Sequence, residues 1–533
     1  MTSNNDILAL QTEKRGSLSI ATRWNQVINR NQQFPLQNQS QSQSQITPLP
    51  IVLLNRDVSE RPLRSSLPNE QEDEESEHEE IRMKIPDDIP EQSKDLPDFN
   101  NMNLFWYCLS LSVTSFPLGW DVGTITNLIN HSSFTFQYLS GFRLGIVVSS
   151  FILGSLIGCF ILPPLNNKFT LKFLIQISSI IYLSGTLIEW FFLQLITNFW
   201  GYIIGRLICG ISCGSLGVLG PLYMNEILIV GFKMRGFYLS LWQTFVCLII
   251  LLGNILNYYL NSYSLNLIFI HQIIKMIFFL TLNGLMFLIP HSPNLFQIKG
   301  NMNSLKLIYY KIFKVKHPKQ INTITLYHNN QLFNENDMSN KPNIGYGELF
   351  KNYPYKVLKC CLIMAFQQLT GINYYFYYGP VIFKNIKIAF ILMSLANLVG
   401  SLLSGPIIQM WNIKSNLILN SVLMIIIMIC YSLIGQFTSE ILPLIILSIL
   451  FIFCFAISWG PSTGILVNII ANNNSKILSL SIGMNWLINW IITMVTPSMI
   501  QLIQFNYGWV FVVGLITMTV FIIIFIPRNI LLK

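Results

Sequence analysis

Long apolar runs, separated by shorter polar connections, dominate the chain from residue 103 onward. Each run approaches or exceeds the ~20 residues that an α-helix needs to cross a bilayer. None shows the ten-residue alternation of a membrane β-barrel, and a helix satisfies its backbone groups internally in lipid. The pattern therefore predicts an all-α membrane protein with twelve transmembrane helices. The runs lie near residues 103–127, 143–165, 172–195, 199–221, 237–259, 266–290, 356–380, 386–408, 415–435, 441–468, 478–501 and 508–527.

The long polar segment 291–355 divides these runs six and six. It is too polar to cross a bilayer, which predicts a cytoplasmic linker with short surface helices. The N-terminal six-helix half then covers 101–290 and the C-terminal six-helix half covers 356–527, with a short tail at 528–533. Two halves of this kind are expected to enclose a central cavity.

Residues 1–100 differ from the rest of the chain in charge. They contain 17 of the 24 acidic residues and 10 of the 33 basic residues, although only 11% of the whole chain is charged. Residues 37–45 are a low-complexity run of Gln, Asn and Ser, and 69–80 form an acidic block. Such a segment buries too little apolar surface to fold, which predicts a disordered tail. This tail is either dispensable or a binding site for a cytoplasmic regulator.

Positive charges are distributed unevenly among the connections. The positive-inside rule places loops rich in Lys and Arg in the cytoplasm. It predicts that both termini are cytoplasmic, in the plasma membrane or an internal membrane such as the vacuolar one. Asn130, in an Asn-His-Ser triplet, then lies outside and is a glycosylation candidate. The charges on the side of the termini are Lys168, Lys172, Lys233, Arg235, Lys414, Lys476 and a cluster between 299 and 319.

The sequence gives no sign of metal, nucleic-acid or enzyme chemistry. The nine cysteines lie in or beside apolar runs without metal-ligand spacing, so we expect neither a metal site nor a disulfide. The net charge of +9 comes from residues between apolar runs, unlike a nucleic-acid-binding face. No nucleophile–base pair or phosphate loop is recognisable, so we expect no enzyme and no cofactor. His271 and Lys275, one turn apart in the sixth run, are expected at the membrane interface.

Charged residues lie in or beside three of the N-terminal runs. Asp121 is near the end of the first run, Arg206 and Glu226 lie in the fourth, and Arg235 precedes the fifth. A carboxylate at the bilayer centre costs at least ~2.5 kcal/mol. Asp121 therefore either sits at the helix end in the interface or faces the transport path as a group that can take a proton.

The most specific signal is the string Gln-Gln-Leu-Thr-Gly-Ile-Asn at 367–373, followed by aromatic residues at 374–378. Three amide side chains within seven residues are costly in lipid, so they predict a polar cavity. Amides donate and accept hydrogen bonds at once, which suits a ring of hydroxyl groups. Gly371 can let the helix bend so that these side chains converge.

These motifs, together with Trp-Gly-Pro at 459–461 and Asn-Trp at 485–486, resemble the sugar porter family of the major facilitator superfamily. The resemblance extends over about 103–527 and suggests a divergent, fungal-type member. It implies the major facilitator fold and transport of a hexose-like monosaccharide by alternating access, with proton coupling left open. The alternative is a non-transporting sugar sensor of the same fold. The expected partners are a small-molecule sugar and the lipid bilayer, and the protein is expected to be a monomer.

The resemblance also implies roles for individual residues at the sugar site. Tyr374 and Tyr375 would stack on the pyranose ring or gate it from outside. The hexose-contacting side chains would be Gln243, Gln367, Gln368, Asn373, Asn397, Asn485 and Asn489.

A second set of implied roles concerns charge. Asp121 and Arg206 would form the pair that couples transport to protons. Glu226 and Arg235 would belong to the same charge network.

The chain departs from the family pattern at the charged helix ends. Residues 167–172 and 409–414 stand where charged boxes are usual, and 290–294 reads Pro-His-Ser-Pro-Asn. Gly464 stands in place of a cavity tryptophan. Lost carboxylates leave lysines unmatched and weaken the inside gate, and a shift of only ~1.4 kcal/mol changes a conformer ratio tenfold. We therefore expect slow or low-affinity uptake.

Overall fold

In the computed structural model, the described residues form helices joined by short connections, and no strand occurs among them. The predicted tails at 1–100 and 528–533, most of the linker and the glycosylation candidate Asn130 lie outside it. The described ranges are 101–129, 141–228, 234–260, 267–299, 301–313, 345–383, 386–437, 440–471 and 474–527.

The N-terminal half contributes seven described helices, of which the first two form one broken span. A single 3-10 turn at Val113–Ser115 joins them, and Pro117 lies in the first turn after it. The helices are α1 (Asn101–Ser112), α2 (Phe116–Ile129), α3 (Gly141–Ile161), α4 (Leu171–Trp190), α5 (Phe199–Ile227), α6 (Arg235–Leu260) and α7 (Leu267–Leu288).

Three short helices in the described part of the linker follow, and the C-terminal half comes after them. The linker helices are α8 (Pro293–Ile298), α9 (Met302–Phe313) and α10 (Tyr346–Asn352). The helices of the C-terminal half are α11 (Pro354–Leu369), α12 (Ile372–Ile382), α13 (Lys387–Met410), α14 (Ile413–Phe437), α15 (Ile441–Ile457), α16 (Trp459–Ala471), α17 (Ser475–Ile503) and α18 (Gly508–Phe525).

Nine helical stretches of the described residues are long and apolar enough to cross a membrane. One of them, Ser475–Phe525, has 51 residues and accounts for two spans, α17 and α18. The two broken runs, α1 with α2 and α11 with α12, complete the set. The prediction of twelve transmembrane helices is thereby confirmed.

Small residues bring α3 and α5 into direct backbone contact. An added Cβ at Gly210 or Gly214 would collide with the backbone of α3, and one at Gly154 or Gly158 would collide with that of α5. Such small-residue faces are a common way to pack membrane helices closely. The tight packing fixes Arg206, one turn before Gly210, against α3.

The two halves meet along two helix pairs, α3 with α17 and α6 with α13. The second pair is joined by polar contacts, in which Asn254 Nδ2 donates to Ser394 Oγ at 2.8 Å and the hydroxyls of Thr244 and Ser401 lie 3.0 Å apart. Between these seams lies a central cavity, lined by residues of α2, α5, α6, α11, α12, α13, α15, α16 and α17. We call the end of the bundle that carries residues 163–170, 289–313 and 474–475 the linker end.

Candidate functional site

The cavity between the halves has a volume of about 170 Å³. A cavity of roughly 150 Å³ suffices for a benzene molecule, so a six-membered ring fits in this one. Seven of the nine residues predicted at the sugar line its wall: Gln243, Gln367, Gln368, Asn373, Asn397, Asn485 and Asn489.

Tyr374 and Tyr375 do not line the cavity, so stacking of their rings on a sugar does not fit this conformation, whereas a role in gating stays a prediction. Both side chains are buried on the far side of α12, where their rings pack against Tyr431. Phe376 and Tyr377 face the cavity instead. The reason is helical periodicity, because Asn373, Phe376 and Tyr377 are spaced i, i+3 and i+4 and so share the cavity face of α12.

Gly371 forms the break between α11 and α12 with a φ of 85°, a left-handed conformation that glycine adopts without a Cβ penalty. The ring of Phe511 packs against the position where a Cβ would stand. The break sets Asn373, on α12, beside the amides of α11. Asn373 Nδ2 donates to Gln368 Oε1 at 2.6 Å and to Asn489 Oδ1 at 2.7 Å.

Asn485 on α17 lies at the centre of this amide network. Its Nδ2 donates to Gln367 Oε1 at 2.7 Å and to the carbonyl oxygen of Met364 at 2.9 Å, and its Oδ1 accepts from Gln368 Nε2 at 3.0 Å. Gln367 Nε2 in turn donates to the backbone of α16, to the carbonyl oxygen of Trp459 at 2.9 Å. The network therefore ties three spans of the C-terminal half together along the cavity wall.

Three polar atoms in the cavity wall have no hydrogen-bond partner among the described residues. They are Asn397 Oδ1, Asn468 Oδ1 and Trp486 Nε1, which belong to residues of the cavity lining but have almost no accessible surface of their own. Burying such atoms unpaired is costly, so each would gain a hydrogen bond if a side-chain rotation turned it toward a polar solute in the cavity. The sequence analysis did not assign Asn468 or Trp486. Their signal was spacing, since Asn468 follows Gly464 by one helical turn and Trp486 is adjacent to Asn485.

The cavity wall from the N-terminal half is mostly apolar. Leu118 and Val122 of α2 and Val246 and Ile250 of α6 form much of it. Gln243 contributes an amide to this wall, and the Nε2 of Gln243 lies 3.7 Å from the sulfur of Cys247. The cavity thus has one amide-rich side and one apolar side.

Gly464 of α16 faces open space in the cavity wall, because nothing lies within 4 Å of where its Cβ would stand. The lining continues past Gly464 to Val467 and Asn468 on α16 and to Leu478 on α17. These positions are within two turns of the linker end, so the cavity extends further toward that end than toward the other.

Asp121 and Arg206 form a buried ion pair in the N-terminal half. Arg206 Nη2 lies 2.9 Å from Asp121 Oδ1, and the side chains are 2% and 7% exposed in that order. Arg206 Nε also donates to the carbonyl oxygen of Val147 at 2.7 Å. Asp121 is thus away from the end of α2, and it is not among the residues that line the cavity.

Glu189 of α4 and Lys275 of α7 form a second ion pair, which the sequence analysis missed. Both charges are near enough to Asp121 to act on it electrostatically. Gln272 Nε2 adds a contact to Glu189 Oε2 at 3.4 Å. Little in the sequence indicates this pair, because the two partners are 86 positions apart.

His271 and Lys275 point into the N-terminal half, so they do not snorkel toward solvent. His271 is 2% exposed, and its Nε2 lies 3.0 Å from Asn257 Oδ1. The imidazole also packs edge-on against the indole ring of Trp120. A buried partner on a neighbouring helix keeps each of these polar groups inside the half.

Glu226 and Arg235 lie apart from the Asp121–Arg206 pair, because Glu226 is 20 residues along α5 from Arg206, about 30 Å of helix. Glu226 accepts a hydrogen bond from Ser292 Oγ, and Arg235 Nη2 donates to Asn225 Oδ1 at 2.6 Å. They belong to the linker end.

Two lysines of the altered helix-end boxes have partners in the backbone. Lys172 Nζ donates to the carbonyl oxygen of Ile289 at 3.1 Å, at the end of α7. Lys414 Nζ donates to the carbonyl oxygens of Ile523 and Ile526 at 2.7 and 2.6 Å, at the end of α18. A cation there satisfies terminal carbonyls and complements the helix dipole. Neither lysine forms an ion pair with a described carboxylate, as expected, but each is held by carbonyl oxygens at a helix end.

Known solved structures share this architecture. The proton:xylose symporter XylE bound to 6-bromo-6-deoxy-D-glucose superposes with a TM-score of 0.69 at 20% identity, covering 81% of this chain and 97% of that one. An inward open conformation of the xylose transporter XylE from E. coli gives a TM-score of 0.64 at 20% identity, covering 80% and 97%. At this identity, the likeness shows a common fold.

Sequence relatives cover most of the chain. The hexose transporter HXT14 of Saccharomyces cerevisiae is 27% identical over 79% of this chain and 86% of its own length. The galactose transporter of the same yeast is 26% identical over 84% and 81%. The family model described as "Sugar (and other) transporter" matches residues 107–531. The chain is a multi-pass membrane protein and belongs to the family described as "Sugar (and other) transporter".

Proposed function

We propose that the protein carries a hexose-like monosaccharide across a membrane by alternating access. The observation that carries this proposal is the amide network of α11, α12 and α17 on the wall of a cavity between two six-helix halves. The names of the similar yeast proteins, hexose and galactose transporters, support transport over the alternative of a non-transporting sensor.

The cavity is suited to a sugar because its two sides differ. Amides on the C-terminal half both donate and accept, as hydroxyl groups require. Asn397 Oδ1 and Asn468 Oδ1 would accept from sugar hydroxyls and Trp486 Nε1 would donate to one. The apolar side, with Val122 and Ile250, would contact the C–H groups of the ring.

Alternating access would proceed by rocking the halves about the bound sugar. The α3–α17 and α6–α13 seams are the surfaces on which the halves would move. The present conformation, with a cavity that extends toward the linker end, would release or take up sugar there. By the positive-inside rule, this end and both termini are proposed to be cytoplasmic, in the plasma membrane or the vacuolar membrane.

The Asp121–Arg206 pair is proposed to couple sugar movement to a proton. Asp121 would take a proton when the pair separates during the conformational change, and Arg206 would favour the charged form while the pair is closed. Vesicles with an imposed pH gradient test this role. Asp121→Asn should abolish accumulation against a gradient and keep sugar exchange, whereas accumulation that survives would contradict it.

Hexose uptake in a host without its own hexose carriers tests the function. Gln368→Ala removes the contacts to Asn485 and Asn373, so we expect uptake to be lost at equal expression. The matched control is Gln436→Ala, an exposed amide on α14 that contacts Asn506 outside the cavity. Wild-type binding of hexose without flux would instead support the sensor.

A further inference from the structure

A second large cavity, of about 680 Å³, lies at the linker end, outside the sugar site. It is bounded by α1, the start of α4, the end of α7 and the linker helices α8 and α9. Its lining residues with polar or charged groups are Tyr107, Lys172, His291, Ser304, Tyr310 and Lys311. We call this cavity the basic pocket.

Positive groups converge on the basic pocket without an acidic partner among the described residues. Lys311 makes no hydrogen bond or ion pair with them, and Lys172 uses one of its three N–H donors on the carbonyl oxygen of Ile289. Burial lowers the pKa of His291, and the charges of Lys172 and Lys311 lower it further. The local potential is therefore positive, and the pocket is complementary to an anion.

Exposed apolar side chains lie beside these charges, at the end of a membrane-spanning helix. Phe287 and Leu288, in the last turn of α7, are 76% and 75% exposed, as expected for groups that face lipid. They line the same pocket as the cations. An anion bound here would thus have a polar contact on one side and an apolar surface on the other.

The helix α9 has the pattern of a helix that lies along a membrane surface. It buries Leu305, Ile308 and Ile312 against the protein, whereas Leu307 and Tyr310 remain about half exposed beside the pocket. Amphipathic helices with lysines and exposed apolar groups commonly lie at the headgroup level. If α9 lies at this level, the side of the pocket that α9 forms is at the depth of the phospholipid phosphates.

We propose that the basic pocket binds the headgroup of an anionic phospholipid from the leaflet at the linker end. Lys172 and Lys311 would contact its phosphate, and Ser304 would donate to a headgroup oxygen. The acyl chains would run along Phe287 and Leu288. Basic pockets between membrane helices are suited to such headgroups. The bound lipid would join α4, α7 and α9, and so stabilise the N-terminal half.

Thermal unfolding of the purified full-length protein in mixed micelles tests the proposal. Micelles that contain phosphatidylserine should raise the unfolding midpoint of the wild type above that in phosphatidylcholine alone. Lys311→Gln should weaken the response to phosphatidylserine about fivefold in concentration, the effect of one lysine near an anionic headgroup. Lys172→Gln should weaken it as well.

The matched control is Lys306→Gln, on the same helix but outside the lining of the pocket. It should respond to phosphatidylserine as the wild type does. An equal response of all the variants would overturn the site, because the effect would then come from the membrane charge in general. A midpoint shift by inorganic phosphate equal to that by phosphatidylserine would overturn the lipid as its ligand.

Discussion

The two halves of the protein handle polarity in the membrane in different ways. The N-terminal half buries two ion pairs, Asp121 with Arg206 and Glu189 with Lys275, behind an apolar cavity wall. The C-terminal half has no ion pair among its described residues and lines the cavity with hydrogen-bonded amides. The comparison supports the proposal that the C-terminal half contacts the sugar, whereas the N-terminal half carries the charges that stabilise or couple the conformations.

The difference follows from the chemistry of each group. An amide in a cavity wall can exchange a protein partner for a sugar hydroxyl at little net cost, because both are neutral hydrogen bonds. A buried charge that loses its partner is strongly unfavourable. Amides therefore suit a site that binds and releases, and ion pairs suit a structure with few allowed arrangements.

The largest effect is expected where a charge of the N-terminal half loses its partner. Lys275→Met leaves Glu189 buried and unpaired, which should cost about 3–5 kcal/mol of stability. Hexose affinity per folded molecule should stay near the wild-type value, because neither residue lines the cavity. Unfolding in detergent and hexose binding measure the two effects.

The double variant Lys275→Met with Glu189→Gln is the control for this prediction. Most of the lost stability should return, because no uncompensated charge is left. A single variant as stable as the wild type would show that the pair contributes nothing to the N-terminal half.

In the C-terminal half, the largest effect on hexose uptake is expected from loss of the amide network. Asn485→Leu breaks contacts to Gln367, Gln368 and the carbonyl of Met364, so we expect hexose uptake to fall about 100-fold. Gln243→Leu, in the wall of the N-terminal half, should reduce uptake less. Initial rates at equal surface expression measure both, and equal losses would contradict the division between the halves.

The open space at Gly464 allows a smaller, steric test. Gly464→Trp places its Cβ where nothing lies within 4 Å, and its indole ring should extend into the cavity and narrow it beside Asn468. Uptake of bulky sugars should fall roughly tenfold relative to glucose. Gly284→Trp, at an exposed and equally open position on α7, is the control. It should change neither the uptake of glucose nor that of bulky sugars. Unchanged selectivity in Gly464→Trp would mean that this space does not contact the sugar.

The twelve spans and the amide string could be predicted from the sequence because both are local signals. An apolar run of sufficient length determines a membrane helix, and clustered amides at 367–373 demand a polar wall whichever helices supply the rest. The seven amides predicted from the family resemblance do face one cavity.

The other features depend on which distant groups meet in the folded chain. Tyr374 and Tyr375 are an exception, because the helical period alone places them off the face of α12 that carries Asn373. The partner of Lys275 is on another helix, and Lys414 caps a helix that ends more than 100 residues later. No local pattern contains these pairings.

Binding of radiolabelled glucose to the purified protein, wild type against Asn397→Ala, tests the central claim most directly. Asn397 Oδ1 lies in the cavity wall with no partner among the described residues, so its loss removes no bond to them through that atom. We expect the unfolding midpoint to stay unchanged and glucose affinity to fall about tenfold, as for one lost hydrogen bond to a buried group. Unchanged affinity in a normally folded variant would contradict recognition of the sugar by the polar wall of the C-terminal half.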